Sequence, residues 1–337
     1  MHRFKNILCY TGSWADPTTG VTRAAELARS NDAKLTLIDV LPATEEGPWM
    51  IRPGTAEIEE VLVHQRRRDL ETRAEALGDL DVTTVLRRGT VFVELVREVL
   101  RADHDILVKT AAGPGPSLGG LFSSTGLHLF RKCPCPVWVV RPGEKGPMGR
   151  VLACLEPGNA RAENEELNLT ILQLASSLAQ RNGAHLDVLS AVWLPYESLM
   201  AGIQGRISSS ELEPEISAAM DLARSRIDSM KSTLGLGEDS ANVQVVHQRP
   251  DRAILEAARG ADTTVLGTLS RTGVAGVFIG NTAERVLAGV GSSVLAVKPA
   301  GFETPVRVDP TQPPLEIAAR PTTEPRPSAP ASVGPAG

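Results

Sequence analysis

The stretch VLGTLSRTGVAGVFIGNTAERVLAGVGSSVLAVKP, from Val265 to Pro299, reads as a strand, a glycine-rich loop, a helix and a second strand in immediate succession. Gly267 follows the first apolar run, Gly273 lies in the loop, and Gly280 precedes the helix that begins near Asn281. Backbone N–H groups at a helix N-terminus, reached through such a loop, favour a phosphate or another anion. The stretch therefore predicts an α/β fold with an anion site at the end of a strand.

A second, altered copy of this unit runs from Asp105 to Pro142 as DILVKTAAGPGPSLGGLFSSTGLHLFRKCPCPVWVVRP. The order of strand, loop, helix and closing strand is the same, which places Lys109 opposite Gly267. Upstream, NILCYTGSWADP and RVLACLEPGNA open the two copies and place Gly12 opposite Glu156. Because a domain typically has about 100 to 200 residues, a chain of 337 residues with this repeat is predicted to contain two tandem domains.

Short apolar runs alternate with segments of helical periodicity in both halves of the chain. Strands separated by about 10 to 15 residues of helical pattern predict right-handed crossovers and parallel sheets. We expect each domain to be a three-layer α/β/α sandwich with a five-stranded, mainly parallel Rossmann-like sheet. The expected domains are residues 1–145 and 146–300, followed by a disordered Pro-rich tail over 301–337.

The chain resembles the tandem universal stress proteins, the bacterial E type above all, from about Lys5 to Pro299. The resemblance is carried by GTLSRTGVAGVFIGNTAERVL in the second half, and by LVKTA and TGLHLFRKCPCPVWVV in the first. It implies a cytoplasmic stress-response factor that binds an adenine nucleotide and acts as a sensor or regulator. It also implies an intramolecular pseudo-dimer, in which the two valine-rich closing strands pair edge to edge or pack across a pseudo-twofold axis.

The resemblance supplies a nucleotide motif of Gly, two residues, Gly, nine residues, Gly and a small hydroxyl residue. This chain has Gly267, Ser270, Gly280 and Asn281 at those positions, with the spacing intact. The Cβ of Ser270 limits close backbone approach to a ligand, whereas Asn281 can donate through its amide or cap the following helix. Nucleotide-binding members usually carry Asp at the end of the first strand. This chain has Glu156 there, whose carboxylate can contact a ribose or help hold a cation beside the phosphates.

The candidate ligand-binding residues surround the carboxyl ends of the strands in the second domain, where open α/β sheets bind their ligands. They are Glu156, Pro157, Val192, Gly267, Thr268, Ser270, Arg271, Gly273, Gly280, Asn281 and Thr282. The expected ligand is ATP or AMP, with or without Mg²⁺. A solvated strand-end acid and a loop kept for packing are the competing interpretations. In the first domain, Lys109 and Gly12 argue against ordinary ATP binding, and an anionic ligand of Lys109 and His128 is an alternative.

Composition narrows the other classes of function. A net charge of −5 argues against a dedicated nucleic-acid surface. Without an uninterrupted run of about 18 apolar residues or a signal pattern, the sequence favours a soluble, cytoplasmic protein with no membrane partner. The four cysteines, Cys9, Cys133, Cys135 and Cys154, are interpreted as reduced packing residues, with a redox or metal role for the C-x-C pair as the alternative.

The sequence contains no phosphate-binding P-loop, nucleophile elbow or paired catalytic carboxylates, and no metal site is predicted. Binding is therefore favoured over catalysis, and slow ATP hydrolysis remains an alternative. A scaffold of a different class, in which two domains mimic a dimer and present surfaces to protein partners without a nucleotide, is the second hypothesis. Further homodimerisation of the tandem is left open.

Overall fold

The computed structural model describes residues 4–12, 16, 18–42, 55–111, 124–144, 146–158, 161–194, 209–268, 279–308 and 316–319. The first half contains β1 (Asn6–Tyr10), α1 (Thr19–Asn31), β2 (Lys34–Leu41), α2 (Thr55–Ala76), β3 (Val82–Arg88), α3 (Val91–Ala102), β4 (Ile106–Thr110), α4 (Ser124–Lys132) and β5 (Val137–Val140). The second half contains β6 (Arg150–Leu155), α5 (Ala162–Asn182), β7 (His185–Val192), α6 (Ser209–Thr233), β8 (Asn242–His247), α7 (Pro250–Ala257), β9 (Thr263–Gly267), α8 (Asn281–Gly289) and β10 (Ser293–Val297). A last strand, β11 (Glu316–Ala319), follows. The alternation predicted from the apolar runs is confirmed in both halves.

All these strands belong to one sheet, in the order β11-β3-β2-β1-β4-β5-β10-β9-β6-β7-β8. Within each half, the five strands of the repeat pair in parallel. The predicted pair of mainly parallel, Rossmann-like sheets is therefore confirmed, and the two sheets are continuous. The first strand of each half, β1 or β6, lies between two parallel neighbours.

Helices cover both faces of the sheet and bury one apolar cluster on each. The first cluster includes Leu27 of α1, Leu70 of α2, Leu174 of α5 and Ile227 of α6. The second draws on the remaining helices α3, α4, α7 and α8. Each cluster contains residues from both halves of the chain, so the two domains share their apolar interior across the junction.

The two halves meet where β5 pairs antiparallel with β10, which confirms edge-to-edge pairing of the closing strands. Trp138 faces Leu295 in this register, and Val139 faces Val294. Trp138 is only 2% exposed. An antiparallel pair of equivalent strands places a pseudo-twofold axis between them, so Trp138 and Leu295 are counterparts that meet at the axis.

The strand register corrects one alignment made from the sequence. Asp105 accepts hydrogen bonds from the backbone N–H groups of Lys5 and Asn6, and Asp262 accepts the same two from Gly149 and Arg150.

With Asp105 and Asp262 as counterparts, Gly12 does correspond to Glu156, but Gly267 corresponds to Thr110 and not to Lys109. The neighbouring strand agrees, because Thr110 pairs with Val140 as Gly267 pairs with Val297. Lys109 therefore occupies the position of Leu266 and is buried between the sheet and its helices, at 3% exposure.

The C-terminal segment, residues 298–319, returns to the first domain. The prediction of disorder from residue 301 onward is therefore wrong for part of this segment. Val306 packs on the second apolar cluster, and Arg97 Nε donates to the Arg307 carbonyl at 3.0 Å. β11 then pairs antiparallel with the outer edge of β3, with Glu316 opposite Leu86. Strand pairing supplies the backbone hydrogen bonds that composition alone could not reveal.

Candidate functional site

The carboxyl ends of β6, β7 and β9 lie together at one edge of the sheet in the second domain. Leu155 at the end of β6 pairs with Ser190, and Cys154 pairs with Leu266. The chain leaves β6 for α5 on one face of the sheet and leaves β9 for α8 on the other. Such a change of winding direction opens a crevice between the two strands, and Glu156 follows β6 directly into it.

Two buried asparagines fix the backbone of Glu156. Asn168 accepts from the Glu156 N–H at 2.9 Å and donates to its carbonyl at 3.0 Å. Asn164, one turn earlier on α5, donates to the same carbonyl at 2.6 Å. Both amides are 2% exposed. This clamp holds the backbone of Glu156 in place, and Glu156 itself stays partly exposed. Sequence reasoning missed the clamp.

The turn after β6 is also tied to α6. Pro157 is buried, and its carbonyl accepts a hydrogen bond from Arg226 Nη1. A guanidinium group therefore lies beside the crevice, with further N–H donors beyond the one used here. Pro157 therefore joins this turn to α6 through its backbone carbonyl.

Gly267 and Thr268, at the end of β9, make contacts within the protein that sequence reasoning did not foresee. A Cβ on Gly267 would lie 2.7 Å from Leu167 Cδ2 and 3.2 Å from Ile171 Cδ1, so the missing side chain makes room for α5. Thr268 is 3% exposed, and its N–H and Oγ1 both donate to the Val297 carbonyl, at 3.0 and 3.3 Å. Both residues lie at the end of β9, and the donors of Thr268 are used to hold β9 to β10.

The N-terminus of α8 borders the same edge. Gly280 is the N-cap, with φ −59° and ψ 144°, and its carbonyl accepts from the Glu284 N–H at 3.0 Å. Within the described residues no side chain caps this helix, so the capping role predicted for Asn281 is wrong: Asn281 is already the first helical residue. Gly280 and Thr282 are partly exposed and Asn281 is exposed, which leaves the first-turn N–H groups accessible to an anion.

The remaining predicted residues fall into two groups. Val192 ends β7, packs on the first apolar cluster, and accepts from the Gln248 N–H at 3.2 Å, so it forms a wall of the crevice. Ser270, Arg271 and Gly273 lie outside the described residues.

The charges around α8 favour an anion. Asp251 at the start of α7 pairs with Arg249 at 3.0 Å and with Arg285 of α8 at 3.7 Å. Two guanidinium groups thus share one carboxylate, and Arg285 is 59% exposed. This group carries a net positive charge beside α8, and the first-turn carboxylate of Glu284 is paired with Arg131 at 2.6 Å, so the local charge suits an anionic ligand.

In the first domain, protein side chains fill the corresponding space. A Cβ on Gly12 would lie 2.4 Å from both Asp39 Oδ1 and Tyr10 Oη. Asp39 is 5% exposed and pairs with Arg66 at 3.2 Å. Burial first, and then the Asp39 carboxylate, raise the pKa of Tyr10, so its hydroxyl stays protonated. The two domains therefore differ at the position after their first strand, which is Gly12 in the first domain and Glu156 in the second.

Lys109 and His128, the alternative anion-binding pair of the first domain, have contacts of their own. Lys109 Nζ donates to the Thr110 carbonyl, and burial lowers the pKa of Lys109 to about 8. His128 of α4 stacks on Phe92, with ring centroids 4.4 Å apart. Among the described residues, no hydrogen bond or ring contact joins Lys109 to His128.

The model of the universal stress protein family matches residues 3–141 and again residues 163–298, so it covers both halves of the chain. The chain belongs to the universal stress protein family. A universal stress protein E from Photorhabdus laumondii is 25% identical over 318 residues, which is 91% of this chain and 99% of that protein. The tandem, E-type resemblance is thereby confirmed.

Two solved structures complete the comparison. A protein of unknown function from Pseudomonas aeruginosa PAO1 has a TM-score of 0.61 and 23% identity, covering 88% of this chain and 94% of its own, and it shares the fold. A universal stress protein solved in complex with cAMP covers 45% of this chain and 98% of its own, with 19% identity and a TM-score of 0.29. That ligand is a property of the solved protein.

Two other kinds of feature are absent from the described part of this universal stress protein. None of the described helices combines the length and the apolar character needed to cross a bilayer. The same residues contain no group of three or more His, Cys, Asp or Glu side chains placed to hold a metal ion.

Proposed function

We propose that this universal stress protein binds an adenine nucleotide, ATP or AMP, in its second domain and acts as a cytoplasmic sensor or regulator. The observation that carries the proposal is the difference between the two strand ends. At Glu156 the crevice is bordered by the uncapped first turn of α8, whereas at Gly12 the same space is filled by Asp39 and Tyr10. This difference between the two strand ends supports the second domain as the nucleotide site.

Each part of the nucleotide is matched by residues of suitable chemistry. The first-turn N–H groups of α8 and the positive charge of Arg285 suit the phosphates. The Glu156 carboxylate suits a ribose hydroxyl, and Val192 gives the crevice an apolar wall. Mg²⁺ is usually bound through one or two carboxylates together with substrate phosphates, so a single carboxylate at Glu156 fits such an ion if it accompanies ATP.

Isothermal titration calorimetry of ATP, AMP and inorganic triphosphate tests the proposal. The wild type is expected to bind an adenine nucleotide, and Gly280→Asp is expected to weaken binding about tenfold or more, because a carboxylate would face the phosphates. Gly291→Asp is the matched control, since it adds the same charge in the same domain where a Cβ meets nothing within 4 Å. An adenine-dependent heat that survives Gly280→Asp would place the site elsewhere.

A second function, a nucleotide-independent scaffold for protein partners, is favoured by the junction. β5 and β10 build one continuous sheet, and the shared apolar clusters make the tandem a permanent pseudo-dimer. If none of the three titrants gives heat, the nucleotide proposal fails and the scaffold is the better account.

A further inference from the structure

Cys133 and Cys135 form a pair of touching thiols in the turn that joins α4 to β5. Their Sγ atoms lie 3.5 Å apart across Pro134. Cys133 is fully buried and Cys135 is 8% exposed. A disulfide requires an S–S distance of about 2.0 Å, so a small movement of two side chains already in contact would close the bond.

The other two cysteines provide an internal comparison. Cys9 belongs to the first apolar cluster and Cys154 to the second, so they lie on opposite faces of the sheet and in different domains. Burial raises the pKa of each thiol to about 12. A buried thiol without a partner is inert, and neither residue is in a position to form an intramolecular disulfide.

A cation from the second domain lies at the thiol pair. Lys298 Nζ donates to the carbonyls of Phe130 and Arg131, the latter at 3.2 Å, and so caps the C-terminus of α4. Lys298 also interacts electrostatically with Cys133. A helix C-terminus disfavours a thiolate, and a neighbouring ammonium offsets that effect. The pair therefore has a cation beside Cys133 that also binds the turn holding the two thiols, whereas Cys9 has only the electrostatic influence of Arg73 within a buried strand.

The surroundings also indicate a slow reaction. Burial, and then the neighbouring Cys133, raise the pKa of the Cys135 thiol well above its usual range. Since the thiolate is the reactive form, little of it is present near neutral pH. Such a pair responds to sustained oxidation and not to a brief pulse.

We propose that Cys133 and Cys135 are a redox modification site, at which hydrogen peroxide converts the two thiols into a reversible disulfide. The Cys135 thiolate, on the more exposed side, attacks one peroxide oxygen. The O–O bond breaks, and the departing hydroxide leaves as water after taking up the proton that the Cys135 thiol released on ionising. Cys133 then attacks the sulfur of the resulting sulfenic acid, the S–O bond breaks, and a second water leaves with the Cys133 proton. The two thiols together lose two electrons, and peroxide is reduced to two waters.

The position of the pair gives the bond a structural consequence. The turn leads directly into β5, which pairs with β10 at the domain junction. Lys298 follows β10 at the start of the C-terminal segment. Its Nζ lies 4.4 Å from the centroid of the Phe302 ring. Closing the disulfide pulls on the turn that Lys298 caps, so the redox state is expected to alter the thermal stability of the junction.

Peptide mass spectrometry of the full chain tests the proposal. Reduced protein is incubated with hydrogen peroxide, alkylated under denaturing conditions and digested. The peptide with Cys133 and Cys135 is expected to lose two hydrogens and to regain them with dithiothreitol, while Cys9 and Cys154 are alkylated. Cys133→Ser should block this loss, and Cys154→Ser should not. Full alkylation of Cys133 and Cys135 after peroxide, or equal oxidation of all four cysteines, would overturn the proposal.

A second pair of variants tests the role of the cation. Lys298→Met is expected to slow disulfide formation about threefold or more, because the turn that holds Cys133 against Cys135 loses the ammonium group that caps it. Lys231→Met is the control, since Lys231 is buried, at 6% exposure, and, like Lys298, donates to a backbone carbonyl, that of Glu238 at 2.7 Å. Equal rates in the two variants would remove Lys298 from the site.

Discussion

At the scale of single residues, the two domains have exchanged large and small side chains at one helix–strand contact. The left-handed C-caps, Asp32 of α1 and Gly183 of α5, align the two helices, so Gly20 corresponds to Ile171. In the first domain a strand threonine, Thr110, fills the contact by accepting from the Gly20 N–H at 2.9 Å. In the second domain the strand residue is Gly267, and the helix supplies the bulk. Gly267 therefore has a packing role that is independent of any ligand.

Gly267→Ala is expected to destabilise the nucleotide-free protein by about 1–3 kcal/mol, because the new methyl group overlaps Leu167 in a packed core. Chemical denaturation without nucleotide measures the effect, and Gly291→Ala, whose Cβ would meet nothing within 4 Å, is the control. An unchanged stability combined with lost nucleotide binding would mean that Gly267 serves the ligand alone.

Lys109 predicts a dependence of stability on pH. Burial lowers the pKa of this amine from 10.5 to about 8 in the folded protein. Between these values the unfolded chain binds more protons than the folded one, so the free energy of unfolding should rise with pH across this window. Lys109→Met removes the buried charge and should be neutral or stabilising at pH 7, by up to about 3 kcal/mol.

Urea denaturation of the wild type and Lys109→Met at several pH values above 7 checks this expectation. The difference between the two proteins should shrink as the pH rises from about 8 toward 10.5, because the folded amine is already neutral and the unfolded amine loses its proton only around 10.5. Lys298, whose pKa is also lowered to about 8 by burial, adds a contribution of the same sign that both proteins share. A difference that does not vary with pH would show that Lys109 does not titrate in this way.

At the scale of elements, α5 positions the end of β6 through its two asparagines. Asn168→Ala is expected to cost about 1–3 kcal/mol of stability, because the Glu156 N–H would lose its acceptor in a buried environment. It should also weaken nucleotide binding, since Glu156 would be held by Asn164 alone. Denaturation and calorimetry on the same variant measure both effects.

Asn182→Ala is the matched control on the same helix. Its amide donates to the Leu178 carbonyl within α5, at 2.8 Å, and touches no strand end. Equal losses of nucleotide affinity in the two variants would argue that the clamp at Glu156 has no special part in binding.

The elements themselves were predictable because each apolar run is short and the shorter helices α3, α4, α7 and α8 have a clear apolar period. The one-residue error at Lys109 arose because Lys109 and Thr110 both follow an apolar run, and only the paired contacts of Asp105 and Asp262 settle the register. The sequence shows two asparagines four residues apart on α5. It does not show that they bind the backbone of Glu156, the residue after β6. β11 was missed because its partner, β3, is distant in sequence and the surrounding composition is rich in proline.

At the scale of the whole molecule, the C-terminal segment covers an edge that would otherwise be open. Truncation after Val308 removes β11, and it is expected to lower the melting temperature and to promote self-association through the exposed edge of β3. Thermal melting and sedimentation velocity measure the two effects. Truncation after Ala319 keeps β11 and should behave as the full chain. If the shorter protein melts and sediments like the longer one, β11 does not protect the edge.

The pairing of β5 with β10 has a genetic consequence. In a symmetric dimer of identical subunits, every substitution appears twice, so a change that closes one ligand site closes both. Here the partner is encoded in the same chain and is always present, so each half mutates independently. The first half can therefore lose its crevice to Asp39 and Tyr10 while the second keeps its own. Covalent fusion therefore allows the two halves to evolve and inherit different functions.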